Sequence, residues 1–350
     1  MTEHARSRYA SLAGKAAFCR LCGKCVEPCP QDLDIPARLA EAVAVLDERA
    51  GTVTGWSELR GAVRDEAGML KLALRYHVKN FSDRQQSVKV ECHSHGEDHV
   101  APQEFAFEEL PAYGRRHKDL DVLVRPPLEA LSLDAMLTCD GVHTLEHLHH
   151  IVATAAPAEG YELDPGARRA GALHVPSPLH PIHQSEAPLR GHSFDFAAAG
   201  DEQNLYVHVD VEEDLLRPAA EPVGRRARAD SLRIFLDGRR PDRIGRGGYE
   251  DGVMHLTVYP PAEPDAKPQV KTSNDSEVQV RLARTPVGYR VDCAVPWAVF
   301  SRVEGKPSVV GFDLALNSYD EEGNDVLRLT WTGRSGQERD PGAFGKLLPL

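Results

Sequence analysis

Apolar and polar residues alternate with a period of two along much of the chain. In the run GMLKLALRYHV, Leu70, Leu72 and Leu74 alternate with charged or polar neighbours, which is typical of a strand with one buried face. Four similar runs follow between polar turns, namely SVKVECH, EFAFEEL, LDVLVRP and SLDAMLTC. Short alternating strands at this spacing predict a small antiparallel β-sandwich over residues 65–156.

The predicted fold class is mainly β. The sandwich at residues 65–156 resembles immunoglobulin-like modules at the level of fold, and a larger antiparallel β-sandwich is expected over residues 165–350. Breaks rich in Pro and Gly, near ERAGTVTGWSE and across AAPAEGYELDPGARRAG, separate these parts. Residues 1–52 precede them as a small segment that ends in a predicted helix.

Composition limits the classes of function. The chain has 350 residues, 41% of them apolar, which is enough for two or three domains with real cores. Its net charge of −12 argues against nucleic acid and against anionic membranes as partners. No apolar run has the length of a membrane span, and residues 1–18 carry charges throughout, so we expect a cytoplasmic protein.

The densest chemical signal is a cysteine cluster near the N-terminus. The spacing C-x2-C-x2-C-x3-C-P holds four thiols, those of Cys19, Cys22, Cys25 and Cys29. In a reducing cytosol this spacing indicates a 4Fe-4S cluster of the bacterial ferredoxin type. Zinc is the alternative, although zinc sites usually pair two knuckles across a longer loop. Either Cys29 closes the same cluster or it serves a second one, since the motif occurs once.

The other three cysteines look like packing residues. By the alternation of their strands, Cys92, Cys139 and Cys293 are in line with apolar neighbours and are expected to face a core. A missing cluster ligand would therefore be supplied by a partner or by a segment outside this chain.

The N-terminal segment RYASLAGKAAFCRLCGKCVEPCPQDLDIPARLAEAVAVLD resembles the iron-sulfur tail of aldo/keto reductase relatives. The resemblance covers about the first fifty residues and includes the lead-in Tyr9 and Leu12, the four cysteines, and the helix start at Ile35. It implies cluster binding and an aldo/keto reductase-type partner subunit, with electron transfer during sugar or polyol oxidation. The reductase's catalytic constellation is not present in the sequence.

The C-terminal half resembles family 9 carbohydrate-binding modules and their DOMON-like relatives. The shared motifs are a Leu-Tyr-Val strand, an Asp-Ser strand ending in Leu-Asp, a Gly-Tyr pair followed by Val-Pro-Trp, a Gly-Phe-Asp strand and a terminal Phe-Gly. The matching residues are Leu205, Tyr206, Asp230, Phe235, Asp237, Gly288, Tyr289, Pro296, Trp297, Gly311, Phe312, Asn317, Trp331, Phe344 and Gly345. The resemblance implies a β-sandwich and a sugar or polyol ligand.

A sugar-binding face is nominated by the same alternation. The side chains opposite the apolar set are those of Tyr206, His208, Arg233, Phe235, Arg290 and Asp292. Sugar sites stack aromatic rings on the ligand and fix its hydroxyls with polar groups. Trp297 and Trp331 are the tryptophans of this half, and their positions favour the core over a stacking platform. An ordinary solvated sheet face is the alternative for the six residues.

Two further metal signals are weaker. In HTLEHLHHIV a strand would align His143, His147 and His149, and a helix would align His143, His147 and His150. A solvated histidine face is the alternative, and we assign no metal there. The segment YDEEGND offers Asp320, Glu322 and Asn324 as calcium ligands, and it also fits a hairpin turn.

The sequence contains no recognisable catalytic motif. It therefore predicts an iron-sulfur, carbohydrate-binding accessory protein associated with sugar or polyol redox metabolism. One alternative is an electron-transfer subunit, or detached tail, of an aldo/keto reductase whose β-domains are structural. A second is a binding module associated with a glycoside hydrolase.

Overall fold

The structure is a computed structural model, and it divides the chain into two compact units. The first comprises Met1–Arg60, Asp65–Pro126 and Leu131–His149, and the second comprises Gly61–Arg64, Pro127–Ala130 and His150–Leu350. The described residues are 33–46, 52–64, 69–95, 103–124, 131–153, 173–176, 181–184, 192–213, 216–219, 228–245, 248–300, 305–319, 325–332 and 336–349.

The described residues of the first part of the chain form one helix and seven strands. Their bounds are α1 Ile35–Leu46, β1 Val53–Arg64, β2 Leu70–Asn80, β3 Gln86–His95, β4 Gln103–Leu110, β5 Arg115–Val124, β6 Leu131–Cys139 and β7 Val142–Ala153. One sheet has the order β1-β2-β5, and β3 pairs antiparallel with both β4 and β6.

The alternating runs become β2 to β6, as the sequence predicts. The apolar set of β2 is buried, and the ring of Tyr76 packs edge-on against Phe105 of β4 with centroids 5.5 Å apart. Two sheets are thus packed around a shared apolar layer. The stretch that the sequence treats as a break at residues 48–58 contains the start of β1, while the predicted immunoglobulin-like topology and the three domain boundaries remain predictions.

The helix α1 begins where the sequence places it. The carboxylate of Asp34 accepts a hydrogen bond from the backbone N–H of Ala37 at 3.1 Å, which caps the first turn. Val43 of the helix packs against Phe81 in a small buried cluster. Among the described residues no helix has the length and apolar character needed to cross a bilayer.

Twelve strands among the described residues lie wholly within the second unit. Their bounds are β8 Leu173–Pro176, β9 Pro181–Gln184, β10 Ser193–Gly200, β11 Asn204–Glu212, β12 Ser231–Asp237, β13 Val253–Tyr259, β14 Gln269–Thr272, β15 Gln279–Thr285, β16 Gly288–Pro296, β17 Val310–Tyr319, β18 Asp325–Thr330 and β19 Gly345–Leu348. One sheet has the order β15-β16-β11-β10-β8, and the other runs β14-β13-β12-β17-β19, with β18 between β17 and β9.

The core of this unit is sandwiched between its two sheets. Alternate residues of β11 and β16 on one sheet, and of β12, β13 and β17 on the other, meet in a single buried cluster. Trp297 and Trp331 belong to that cluster, and the Trp331 ring packs edge-on against Phe196 at 5.4 Å. Both tryptophans are therefore core residues, and the mainly β fold class is confirmed.

Candidate functional site

The six residues of the predicted sugar face lie on two different sheets. Tyr206 and His208 are on β11, and Arg290 and Asp292 are on the neighbouring β16, in register with β11. Arg233 and Phe235 are on β12, in the opposite sheet. As the alternation predicts, all six side chains point away from the main core. The fold brings together only the four on β11 and β16.

The group on β11 and β16 is a closed ionic network. The buried ring of His208 lies between two carboxylates, with Nδ1 3.0 Å from Asp292 Oδ1 and Nε2 3.2 Å from Asp210 Oδ2. The Arg290 guanidinium donates to Asp210. His208 and Asp292 are both fully buried. Their hydrogen-bonding groups therefore hold β11 and β16 together and are not presented to solvent.

Tyr206 lies at the end of this face next to an aspartate. Its hydroxyl donates to Asp201 Oδ2 at 2.7 Å, and the Asn204 amide lies 3.4 Å from the same hydroxyl. Burial, followed by the hydrogen bond to Asp201, raises the pKa of Tyr206. Tyr206 thus remains a neutral, half-buried phenol near the start of β11.

Phe235 is fully buried although it points away from the main core. Its ring lies 5.6 Å from Phe344 and 5.7 Å from His255, and it forms a small cluster with Val253 and Ala315. The segment that contains Phe344 covers this part of the sheet. Phe235 therefore supports the outer face and leaves no ring surface for a ligand.

Arg233 takes part in a partly exposed group of charged side chains on that outer face. Its Nη1 donates to Glu338 Oε1 at 2.7 Å, and Nη2 of Arg328 on β18 donates to the same oxygen at 2.6 Å. The three side chains are 24% (Arg233), 28% (Glu338) and 20% (Arg328) exposed. We call Arg233, Arg328, Glu338, Tyr249 and His255 the arginine–glutamate cluster.

Buried polar groups hold the cluster from beneath. The Tyr249 hydroxyl donates to the Gln337 carbonyl at 2.7 Å, and Arg328 donates to the Gln337 amide oxygen at 3.1 Å. The Gln337 amide nitrogen in turn donates to buried Asp313 at 3.0 Å. A chain of bonds thus fixes the segment that carries Glu338 onto the sheet.

The electrostatics of the cluster keep its carboxylate ionised. Burial alone would raise the pKa of Glu338, but the charges and hydrogen bonds of Arg328 and Arg233 outweigh it and lower that pKa. Burial and the Arg233 charge lower the pKa of His255, so its ring is held neutral. Burial raises the pKa of Tyr249. The cluster therefore offers one carboxylate, two guanidinium groups, a neutral imidazole and a phenol.

Three nitrogen atoms of the cluster have no hydrogen-bond partner among the described residues. They are Nε of Arg233, Nε of Arg328 and Nδ1 of His255, and each is shielded from solvent. The two arginine Nε–H groups are donors, whereas Nδ1 of the neutral His255 ring donates or accepts according to its tautomer. Buried polar atoms without a partner are rare, because leaving one unpaired costs about 1–3 kcal/mol. Since these three atoms are shielded, the groups that a ligand can reach are the partly exposed side chains of Glu338, Arg233 and Arg328.

Sequence reasoning identified only Arg233 of this cluster. Strand alternation could also have nominated His255 on β13 and Arg328 on β18, since both alternate with core residues. Glu338 lies in the segment before β19 and has no periodic signal. Only the folding of that segment back over the sheet brings it between the two arginines.

The predicted metal sites fall outside the part of the chain that the structure describes. This applies to Cys19, Cys22, Cys25 and Cys29, and to the calcium candidates Asp320, Glu322 and Asn324. Of the remaining cysteines, Cys293 is buried in the core, as expected, while Cys92 and Cys139 are half-buried free thiols. Within the described ranges no group of three or more His, Cys, Asp or Glu side chains is arranged to hold a metal ion.

Comparison with known proteins places a family match in the second unit. Residues 182–348, slightly less than half of the chain, match the family model described as "Carbohydrate family 9 binding domain-like". Two curated relatives are each 27% identical over 150 residues, "Exoglucanase XynX" of Acetivibrio thermocellus and "Endo-1,4-beta-xylanase A" of Thermoanaerobacterium saccharolyticum. The aligned region is 42% of this chain but only 13% and 12% of those proteins.

Two similar solved structures are of a carbohydrate binding module family 9 from Caldicellulosiruptor kristjanssonii. The complex with cellotriose is 19% identical, with a TM-score of 0.41 over 57% of this chain and 91% of that one. The complex with glucose is 18% identical, with the same TM-score and coverage of 57% and 93%. The family match confirms that the C-terminal part of the chain is similar to family 9 carbohydrate-binding modules, as its sequence motifs predict.

Proposed function

We propose that the second unit is a non-catalytic carbohydrate-binding module whose ligand docks on the arginine–glutamate cluster. The observation that carries the proposal is the partly exposed Glu338 carboxylate, which is held between the partly exposed side chains of Arg233 and Arg328. The family match over residues 182–348 supports a saccharide as the class of ligand.

The chemistry of the cluster suits a pair of neighbouring hydroxyl groups. A sugar diol donates to a carboxylate and accepts from a guanidinium, so one Glu–Arg pair satisfies both hydroxyls. The ion pairs already orient the side chains, so little rotamer entropy is lost when the sugar binds. No tryptophan of the described residues lies on this face, because Trp297 and Trp331 are in the core. Affinity should therefore depend on hydrogen bonds more than on stacking.

The nature of the relatives suggests which sugars to test. One relative is named an exoglucanase and another an endo-1,4-β-xylanase, so fragments of glucan and xylan are the first probes. In this proposal the unit holds such fragments for a partner enzyme, as a module associated with a glycoside hydrolase would.

Calorimetric titration of the full chain with glucose, cellotriose and xylotriose tests the proposal. Weak sugar sites bind near millimolar, which corresponds to about −4 kcal/mol. Glu338→Ala and Arg233→Ala should each weaken binding by about ten-fold, since each removes hydrogen bonds to or from a charged group. Arg240→Ala serves as the control and should bind like the wild type, because Arg240 is exposed and its one ion pair among the described residues is with Asp242 at 3.5 Å.

Two results would overturn this assignment. If the wild-type chain binds none of the three sugars at tens of millimolar, the unit is not a module for these ligands. If Glu338→Ala and Arg233→Ala bind as tightly as Arg240→Ala does, the cluster is not the site. Thermal unfolding of each variant separates lost binding from lost folding.

An iron-sulfur cluster at the N-terminus is a second proposal, favoured by the spacing of Cys19, Cys22, Cys25 and Cys29. Anaerobic reconstitution should give a brown protein with iron and sulfide in equal amounts, and Cys22→Ser should lose the colour whereas Cys92→Ser should keep it. A colourless product that contains only zinc would contradict it.

A redox partner and a calcium site are two further proposals, and the first of them depends on the iron-sulfur cluster. If it forms, the chain would exchange electrons with an aldo/keto reductase-type subunit in the cytoplasm during sugar or polyol oxidation. Co-purification with such a subunit tests this partner, and its absence from the purified complex would contradict the proposal. A calcium-dependent rise in the unfolding temperature that Asp320→Ala abolishes would support calcium binding at residues 320–324.

A further inference from the structure

A groove on the second unit has the dimensions of a small-ligand site. Its volume is about 470 Å³, which lies within the range of 300–1,000 Å³ usual for ligand pockets. One wall is β14 and the segment that leads from it to β15, and the other lining residues belong to the ends of β15, β16 and β11. The groove shares no residue with the arginine–glutamate cluster.

The register of the strands explains the shape of the groove. Gln279 on β15 lies opposite Ala294 on β16, and Asn204 on β11 lies opposite Pro296. Small and cyclic side chains on β16 thus stand between two amide-bearing residues. Ala294 and Pro296 therefore form an apolar floor with an amide side chain on either side, and Val270 and Val278 extend this floor.

Hydrogen bonds within the chain hold the segment over the groove in place. The Thr272 hydroxyl donates to the Ser276 carbonyl at 3.1 Å, and the backbone N–H of Ser273 donates to the His255 carbonyl at 2.9 Å. Asp275 adopts a left-handed conformation with φ of 55°, which aspartate tolerates better than most residues do. The wall is therefore largely preformed, which reduces the entropy lost on binding.

Two polar side chains of the lining are uncommitted. Glu277 and Gln279 are exposed, and within the described part of the chain neither forms a hydrogen bond or an ion pair. Asn204 adds a third polar side chain, because among the described residues that side chain makes one hydrogen bond, the 3.4 Å contact to Tyr206. An amide–carboxylate–amide set provides both donors and acceptors, which suits hydroxyl groups.

Charge narrows the class of ligand. Among the residues that the structure describes, the lining includes one carboxylate, that of Glu277, and no Lys, Arg or His. A phosphate, sulfate or uronate would meet that carboxylate with nothing to compensate its own charge, so anions are disfavoured. A neutral molecule with hydroxyl edges and an apolar C–H face fits both the polar rim and the Val–Ala–Pro floor.

We infer that this groove is a second carbohydrate subsite, one that binds a neutral oligosaccharide through Asn204, Glu277 and Gln279. The ligand class follows the proposed function of the unit, but the subsite stands on residues that the arginine–glutamate cluster does not use. Two separate sites on one unit would let it hold two points of a chain, or two chains, and gain avidity.

Nitrogen-15 NMR of the full chain, titrated with xylotriose and cellotriose, tests the inference. The side-chain amide signals of Asn204 and Gln279 should shift, and they are assigned by their loss in Asn204→Asp and Gln279→Glu. Glu277→Ala and Gln279→Ala should each weaken this event about five-fold, the effect of one or two lost hydrogen bonds. Glu263→Ala, an exposed glutamate outside the lining, is the matched control.

The outcomes separate the two sites. Amide shifts at the groove that survive Arg233→Ala and are weakened by Glu277→Ala establish the subsite, whether or not the cluster also binds. Trisaccharide binding that Arg233→Ala abolishes, with Glu277→Ala like the wild type, overturns the groove and leaves the proposed function intact. The absence of any shift at Asn204 and Gln279 overturns the groove in every case, and the absence of all sugar binding overturns both proposals. Because Glu277 and Gln279 are exposed, the variants should fold like the wild type.

Discussion

Replacing Glu213 by Gln should change how the stability of the second unit depends on pH. Glu213 is buried at the end of β11, where its carboxylate accepts a hydrogen bond from Ser318. His192 Nδ1 lies 3.8 Å from it, and Arg284, Tyr289 and Asp230 are the other ionisable groups that influence this site. Burial, reinforced by the charge of Asp230, raises the pKa of Glu213 well above its usual value.

The size of such a pH effect on the free energy of unfolding can be worked out for the neighbouring carboxyl of Asp230. Burial raises its pKa to about 6, against hydrogen bonds from the backbone N–H groups of Arg217 and Tyr319 that lower it. A carboxyl whose pKa is higher in the folded chain stabilises folding below its unfolded pKa, and this stabilisation is lost as the pH rises through the folded pKa. A shift of about two units amounts to about 3 kcal/mol in total, of which about 1 kcal/mol is lost between pH 5 and pH 8.

The raised pKa of Glu213 also makes the free energy of unfolding fall as the pH rises. While one carboxyl is protonated in the folded chain and ionised in the unfolded chain, stability falls by about 1.4 kcal/mol per pH unit. Gln mimics the protonated carboxyl and still accepts from Ser318, so Glu213→Gln should remove this part of the slope and keep the part due to Asp230. The variant should match the wild type at pH 4 and exceed it in stability at pH 8.

Urea unfolding at pH 4, 5, 6, 7 and 8, followed by tryptophan fluorescence, measures this difference. A Trp56→Phe background leaves Trp297 and Trp331, both in the core of the second unit, as reporters. Glu212→Gln, which changes an exposed neighbour, is the control and should parallel the wild type. His255, whose pKa burial lowers, opposes the trend equally in all variants. Parallel curves for Glu213→Gln and the wild type would refute the reasoning.

Two stability predictions follow from packing and from buried charge. A Cβ added at Gly238 would lie 2.3 Å from Cγ of buried Phe300, so Gly238→Ala should lower the free energy of unfolding in urea by about 1–3 kcal/mol. The control Gly248→Ala should be near neutral, because nothing lies within 4 Å of the added Cβ. Asp292→Ala leaves His208 without its 3.0 Å partner in a fully buried position and should cost about 3 kcal/mol; a loss below 1 kcal/mol would mean that the network is not coupled.

Sequence alone determined the mainly β fold class and the inward or outward direction of side chains on the strands that it located. The period-two alternation located β2 to β6, and it separated the inward set of Leu205, Val207 and Val209 from its outward neighbours. This works because side chains on a strand point to opposite faces, so burial of one face is written directly into the order of residues. The same rule assigned Trp331 to the core, where the fold indeed buries it.

Tertiary structure decided which outward residues meet. Alternation predicts that the side chains of Arg233 and His208 both point away from the core. It does not predict that the two residues lie on opposite sheets, because pairing between distant strands is not encoded in local periodicity. Burial of Phe235 beneath Phe344, and the arrival of Glu338 between Arg233 and Arg328, depend on a segment about a hundred residues further along the chain. The charges of the candidate site are thus in the sequence, while their convergence comes only from the packing of that segment onto the sheet.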